Sequence, residues 1–182
     1  MAKKLVLVLL LAAIVAGGLW AQEKAPNTIM FLGSMLSYER ALSPNWGIGA
    51  EFAVDFFGKP TLYYDGKESD YDGYVAILPL SVDAFARYYP WAGKFFTQLG
   101  LGIQMATIGD NFPPTNTLDG FGFHAKVQVG WQLALGSSNW VFEAKLGPAI
   151  SVGGVSKDGE QLDKTTFLMF SFPIQLGFGL NF

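Results

Sequence analysis

From about residue 27 to the C-terminus the chain alternates apolar and polar positions with a period of two. That is the repeat of β-strands whose two faces meet different surroundings. Gly, Pro, Asn, Asp and Ser punctuate it into seven long runs, over residues 27–42, 46–57, 74–89, 94–108, 121–135, 140–153 and 166–182. In the second, Trp46, Ile48, Ala50, Phe52, Val54 and Phe56 share one face against Gly47, Gly49, Glu51, Ala53, Asp55 and Phe57. In the fourth, Phe95, Leu99, Leu101, Ile103 and Met105 oppose Gln98, Gly100, Gly102 and Gln104. In the last, Leu168, Phe170, Phe172, Ile174, Leu176, Phe178, Leu180 and Phe182 oppose Ser171, Gln175, Gly177 and Asn181. Past the first run the apolar face carries no charge, while the other carries Glu51, Asp55, Asp83, Arg87, Lys126, Glu143 and Lys145.

Each run exceeds the 9–11 residues that a tilted membrane-crossing strand needs. Apolar-out, polar-in alternation is the pattern of a barrel in lipid. A soluble lipocalin-like barrel is the inverse reading, with the apolar face around a ligand cavity lined by Phe52, Leu101, Val129 and Ile174. Side-chain size separates the two. The apolar face is crowded with large residues, and the polar face is rich in Gly and Ala, which suits a tight lumen. The expected fold is therefore all-β, an antiparallel up-and-down transmembrane β-barrel. Single-chain bacterial barrels have even strand numbers. A break near Gly33–Ser34, dividing residues 27–42 into two short strands, brings seven runs to eight strands. Pro79, Pro148 and Pro173 fall inside runs and predict bulges or strand ends there, because each removes a ladder donor. Three connections read as short (Ser43–Asn45, Pro90–Gly93, Gly136–Asn139) and three as longer polar loops (Gly58–Gly73, Gly109–Gly120, Gly154–Thr165).

Composition sharpens this picture. The chain has 182 residues, 51 % hydrophobic and 15 % charged, against about 25 % charged in soluble domains. Lys3 and Lys4 precede the apolar run Leu5–Ala16 and the small residues Gly17, Gly18 and Ala21. This is the layout of a cleaved secretory signal, expected over 1–21, with the barrel domain at 22–182. Removing it takes two of twelve basic residues and none of fifteen acids, so the formal charge moves from −3 to −5. No basic cluster remains for nucleic acid. With no cysteine, neither disulfides nor thiolate metal sites are expected.

Candidate chemistry is sparse. The inward set is Glu39, Glu51, Asp55, Asp83 and Glu143 against Arg87, Lys126 and Lys145, with His124 the only histidine. Buried ions pair with one another, because unpaired burial is costly. A closed lumen holding a charge network is the expectation, and a narrow solute channel is the alternative. A catalytic histidine needs a nucleophile and an orienting acid within reach; nothing in the sequence puts Ser81, Ser151 or Ser171 beside His124, and no catalytic site, metal or cofactor is assigned. Trp46, Tyr88, Trp91, Trp131, Trp140 and Phe182 cluster at the short-turn ends of the runs, as aromatics do at membrane–water interfaces. The segment Lys59–Asp72 mixes tyrosines with acids, a composition suited to a recognition surface for an unspecified partner.

The alternation Phe170-x-Phe172-x-Ile174-x-Leu176-x-Phe178-x-Leu180-x-Phe182 resembles the terminal signal of outer-membrane proteins, with Leu180 where an aromatic is commoner. Leu36-Ser37-Tyr38-Glu39-Arg40-Ala41-Leu42 is similar to a strand of small barrels of the OmpA/OmpX/OmpW-like type. The resemblance implies insertion into the outer membrane, contact with its lipid, and recognition of the C-terminal strand by the barrel-assembly machinery. It transfers no catalytic residue, and a barrel without enzymatic activity is expected ahead of a lipid-modifying membrane enzyme.

Overall fold

The computed structural model describes residues 26–55, 57–68, 75–90, 94–109, 117–135 and 139–182. The expected export signal and Trp91 lie outside the described residues. The chain is best followed as eight arms. The first two are short: β1 (Asn27–Gly33) rises and β2 (Met35–Ser43) returns. The third is β3 (Trp46–Val54) continued by β4 (Phe57–Tyr64), against whose tip the two-residue β5 (Lys67–Glu68) folds back. Then come the long single arms β6 (Val75–Tyr88), β7 (Phe95–Gly109) and β8 (Thr117–Ala134). The seventh arm is β9 (Trp140–Leu146) followed by β10 (Ala149–Lys157), and the eighth is β11 (Glu160–Ser171) followed by β12 (Ile174–Asn181). Neighbours are antiparallel. Pairing of β12 with β1 closes an eight-stranded ring of β1, β2, β3, β6, β7, β8, β9 and β12. The expected break at Gly33–Ser34 is what supplies the eighth strand.

The ring is not uniform along its axis. The β1–β2 hairpin ends where Ser34 N donates to Leu176 O (3.1 Å) and Ser34 O accepts from Val54 N (3.0 Å). Beyond that tip β4 pairs directly with β11, from Gly58 opposite Ser171 to Tyr64 opposite Thr165. The ring there is β4, β6, β7, β8, β10 and β11. A wide tier of eight strands thus passes into a narrow tier of six. Irregularities lie at the junction. The β6–β7 register shifts between Ile77 and Leu80, across Pro79. Asp55 N donates to Pro79 O (2.8 Å), and the third arm slips phase, since Asp55 and Gly58 are both buried. Pro148 and Pro173 divide β9 from β10 and β11 from β12. All three prolines therefore sit at interruptions, as their missing donors require.

Two of the expected long loops are corrected. Residues 58–64 continue the third arm as β4 and Asp65–Gly66 turns it back into β5, while the remainder of that expected loop, 69–73, lies outside the described residues. Likewise β10 runs on to Lys157 and β11 returns from Glu160. Both turns are Asp-Gly with φ positive at both residues (49° and 77° at Asp65 and Gly66, 53° and 84° at Asp158 and Gly159). That is the type I′ geometry that keeps paired strands twisting together. In the third expected loop, Gly109–Gly120, β8 already begins at Thr117.

Polarity inverts between the tiers. In the wide tier the outer surface is apolar and the interior polar: Leu99 is 52 %, Leu101 58 % and Ile174 60 % exposed, whereas Glu51, Asp83 and Lys126 are buried. The lipocalin-like assignment is thereby overturned, because Phe52, Leu101, Val129 and Ile174 all stand on the outside. In the narrow tier the interior is a hydrophobic core of Leu62, Ala76, Ala106, Ile108, Val155, Phe167 and Met169. Nearer the junction its exterior is still mostly apolar, with Phe121, Val152 and Phe170 exposed and Lys59 opposite Phe170, and towards the far end Thr107, Asp119 and Thr166 face out.

Gly33 has φ +111°, and a Cβ on it would stand 2.1 Å from Leu176 O, whereas Gly66 has φ +77° and open space around it. Gly66→Ala should cost on the order of 1 kcal/mol from backbone strain alone. Gly33→Ala should lower the unfolding midpoint well beyond that, because the hairpin tip must leave its seat; equal effects in a urea titration would refute the wedge role of the tip.

Candidate functional site

Inward positions of the wide tier come from alternate residues of every strand, so side chains distant in sequence meet in one narrow lumen. All nine titratable residues assigned to it from the sequence are there and buried: Glu39, Glu51, Asp55, Asp83, Arg87, His124, Lys126, Glu143 and Lys145. Seven of them form one series of alternating sign, with His124 beside its last member. Glu39 meets Arg87 (2.9 Å), and Arg87 meets Glu143 (2.7 Å). Lys145 bridges Glu143 (3.5 Å) and Glu51, and Lys126 bridges Glu51 (2.6 Å) and Asp83 (2.7 Å). His124 Nδ1 stands 3.3 Å from Asp83. Each charge between the ends of this series has an opposite neighbour on either side, the condition under which burial of ions is tolerable.

Arg87 is the hub. Its guanidinium holds Glu143 through both terminal nitrogens (2.7 Å each), donates to Glu39 through Nη1, and donates to Gln98 through Nε (2.7 Å). Bidentate carboxylate binding is the strongest arrangement open to arginine. The Phe85 and Phe96 rings flank it, with centroids 4.6 and 4.2 Å from Cζ, adding cation–π attraction in a site without solvent. Glycines make room for both rings. A Cβ on Gly49 would stand 2.5 Å from Phe85, and one on Gly130 would stand 2.3 Å from Phe96. Tyr89 donates to Glu39 and packs on Phe96, ring centroids 5.6 Å apart.

A second arm leaves Arg87 through three glutamines. Gln98 Nε2 donates to Gln128 (3.4 Å), Gln128 Nε2 to Gln175 (3.1 Å), and Gln175 Nε2 to Asp55 Oδ1 (3.1 Å). Every amide points the same way, from a cation at one end to an anion at the other, so the dipoles reinforce one another. Asp55 is thus reached by a chain of amides rather than by a cation. Its Oδ2 has no hydrogen-bond partner, and the described residues place no base within ion-pair distance of it.

Both ends of the lumen are filled among the described residues. Tyr89 and Phe96, fully buried, close the wide tier, and the hydrophobic core closes the narrow one. The fold brings together one pair that sequence spacing did not: Ser151 lies opposite His124 in the β10–β8 register. Its hydroxyl donates to Gln104 instead (2.5 Å), and Ser151, His124 and Asp83 are all buried. No group of three or more His, Asp or Glu among the described residues is placed to hold a metal.

Of the aromatics singled out from the sequence, the described ones, Trp46, Tyr88, Trp131, Trp140 and Phe182, lie on the outer surface at the end of the wide tier away from the junction. Trp46 stacks on Tyr88 (5.0 Å) and Trp140 on Phe31 (5.8 Å). Trp131 is half-buried and Phe182 exposed, with Asn27 paired to the latter's backbone. Sequence reasoning missed Tyr89, Phe85 and Phe96. The phase of β6 and of β7 placed both phenylalanines on the polar face, the signal that each has a polar partner inside.

Arg87→Gln removes the cation that Glu39 and Glu143 share and should destabilise by about 3–5 kcal/mol. Asp55→Asn keeps the acceptor for Gln175 while removing an uncompensated charge, so its unfolding midpoint should equal or exceed that of the parent. A large loss in Asp55→Asn would show that Asp55 has a cationic partner. No family model matches the chain, and neither a curated protein nor a solved structure matches it.

Proposed function

We propose that the chain is an integral outer-membrane β-barrel of the small OmpA/OmpX/OmpW-like kind, with a structural or surface-interaction role, a closed lumen and no enzymatic activity. The observation that carries this reading is the inversion of polarity between the tiers. One chain presents an apolar exterior around a charged interior over eight strands and the junction beyond them, and a polar exterior around an apolar interior at the far end of the six. Two exteriors of opposite character call for two solvents, lipid around the wide tier and water around the narrow one. Aromatic residues at the wide tier's open end fit the interface on the other side. The filled interior favours a closed barrel over the solute channel. In this reading residues 1–21 export the chain, the assembly machinery reads β12, and the hairpin tips around Asp65 and Asp158 project towards surface partners.

The test is fractionation followed by gel mobility with and without boiling. A membrane-bound band that shifts on boiling is expected, and recovery in the aqueous phase would refute the proposal. Planar bilayers should show no conductance steps; discrete steps would restore the channel. Val82→Arg, on the outer face of the wide tier, should cost about 2–4 kcal/mol, and Thr107→Arg, on the narrow tier, close to nothing. Equal tolerance of the two would mean that one solvent surrounds both tiers.

A further inference from the structure

The outer surface of the wide tier carries one exception to its apolar character. Among the described residues, Arg40 is the charged side chain that faces outward from the strands of this tier. It lies near the end of β2, three residues before Ser43, at the end of the barrel where Trp46 stacks on Tyr88. None of the ion pairs or side-chain hydrogen bonds of the described residues involves it. An unpaired guanidinium among apolar residues is expensive in hydrocarbon and reaches instead for the headgroup level.

Beside Arg40 the surface is hollow. A groove of about 600 Å³ has Ala50, Ala84 and Ala86 as its floor, with Tyr38, Ile48, Leu99 and Leu101 among its walls. The alanines are contiguous because Ala50 stands opposite Ala84, and Ala86 opposite Ile48, in the β3–β6 register. The Tyr38 hydroxyl is engaged with Asn27 (2.8 Å), which leaves Arg40 as the available cation on the rim. A planar guanidinium is matched to phosphate oxygens, and the apolar floor is matched to a hydrocarbon chain. A second groove, of about 670 Å³ around Ala125 and lined by Leu101, Ile103, Phe123, Ile150 and Val152 with the buried His124, has no arginine or lysine on its rim.

We infer that the Arg40 groove seats one acyl chain of an anionic phospholipid, with the lipid phosphate on the Arg40 guanidinium. The inference rests on the membrane reading above. Full-length protein folded in detergent and examined by native mass spectrometry should retain phosphatidylglycerol about five- to tenfold over phosphatidylcholine of the same chains. Arg40→Gln, an exposed position without partners, should abolish that preference and leave the folded state intact. Ala84→Leu fills the floor and should lower retention of both lipids, whereas Ala125→Leu, in the second groove, should change neither. Equal retention of the two lipids, or a preference that survives Arg40→Gln, would overturn the inference. So would competition by inorganic phosphate at millimolar concentration, which would assign the site to the free anion. A heat-modifiable membrane band without lipid preference sinks this inference alone, while recovery in the aqueous phase sinks the membrane reading with it.

Discussion

A guanidinium that no water reaches must be neutralised from within the protein, and the interior of this barrel is organised by that demand at Arg87. Glu143 and Glu39 balance it, Phe85 and Phe96 sandwich it, and Gln98 takes its remaining donor. Each carboxylate in turn has to be balanced, which draws in Lys145, then Glu51, then Lys126 and Asp83. The contacts bind β2, β3, β6, β8 and β9 to one another across the lumen, and the glutamine arm adds β7 and β12. Backbone ladders join each strand only to its neighbours. The interior series is what joins strands that are not neighbours, and it can do so because a ring this narrow leaves space for side chains and little else.

The change from eight strands to six lets the interior change character. Lost strands shrink the cross-section, and the remaining space is filled by Ile108, Phe167 and Met169 without ions. Bulges provide the geometry. An extra residue on one strand rotates every later side chain to the other face. The third arm and β6 make this slip at adjacent points, joined by the Asp55–Pro79 backbone bond, so the two neighbours remain in phase and the ladder resumes beyond them.

The wide tier was legible in the sequence because period-two alternation survives intact through β7, β8, β9 and β12, and because Gly and Ala mark the crowded face. Gly33–Ser34 was legible as a break because seven runs had to become an even number of strands for a single chain to close. The narrow tier was not. Lys59-Pro60-Thr61-Leu62-Tyr63-Tyr64 carries a proline and a lysine and reads as a loop, yet it pairs with β11 along its length. Its apolar positions face inward and its polar ones outward, the opposite of the arms below, so a rule tuned to the first half mislabels the second. The Asp-Gly pairs at 65–66 and 158–159 were the available signal for turns of two residues. Pairing of specific charges was beyond reach, because alternation assigns a face and not a height along the axis.

The short N-terminal hairpin has a consequence for how the cylinder is shut. An ordinary up-and-down barrel has one seam, where its first strand meets its last. Here the first and last strands, β1 and β12, meet only in the wide tier. The narrow tier is shut by β4 and β11, both internal to the chain. Among the described residues it is a loop without ends, and neither β1 nor β12 takes part in its closure. Fraying or extension at a terminus acts on one seam alone, and the far end of the cylinder stays zipped while the near end breathes.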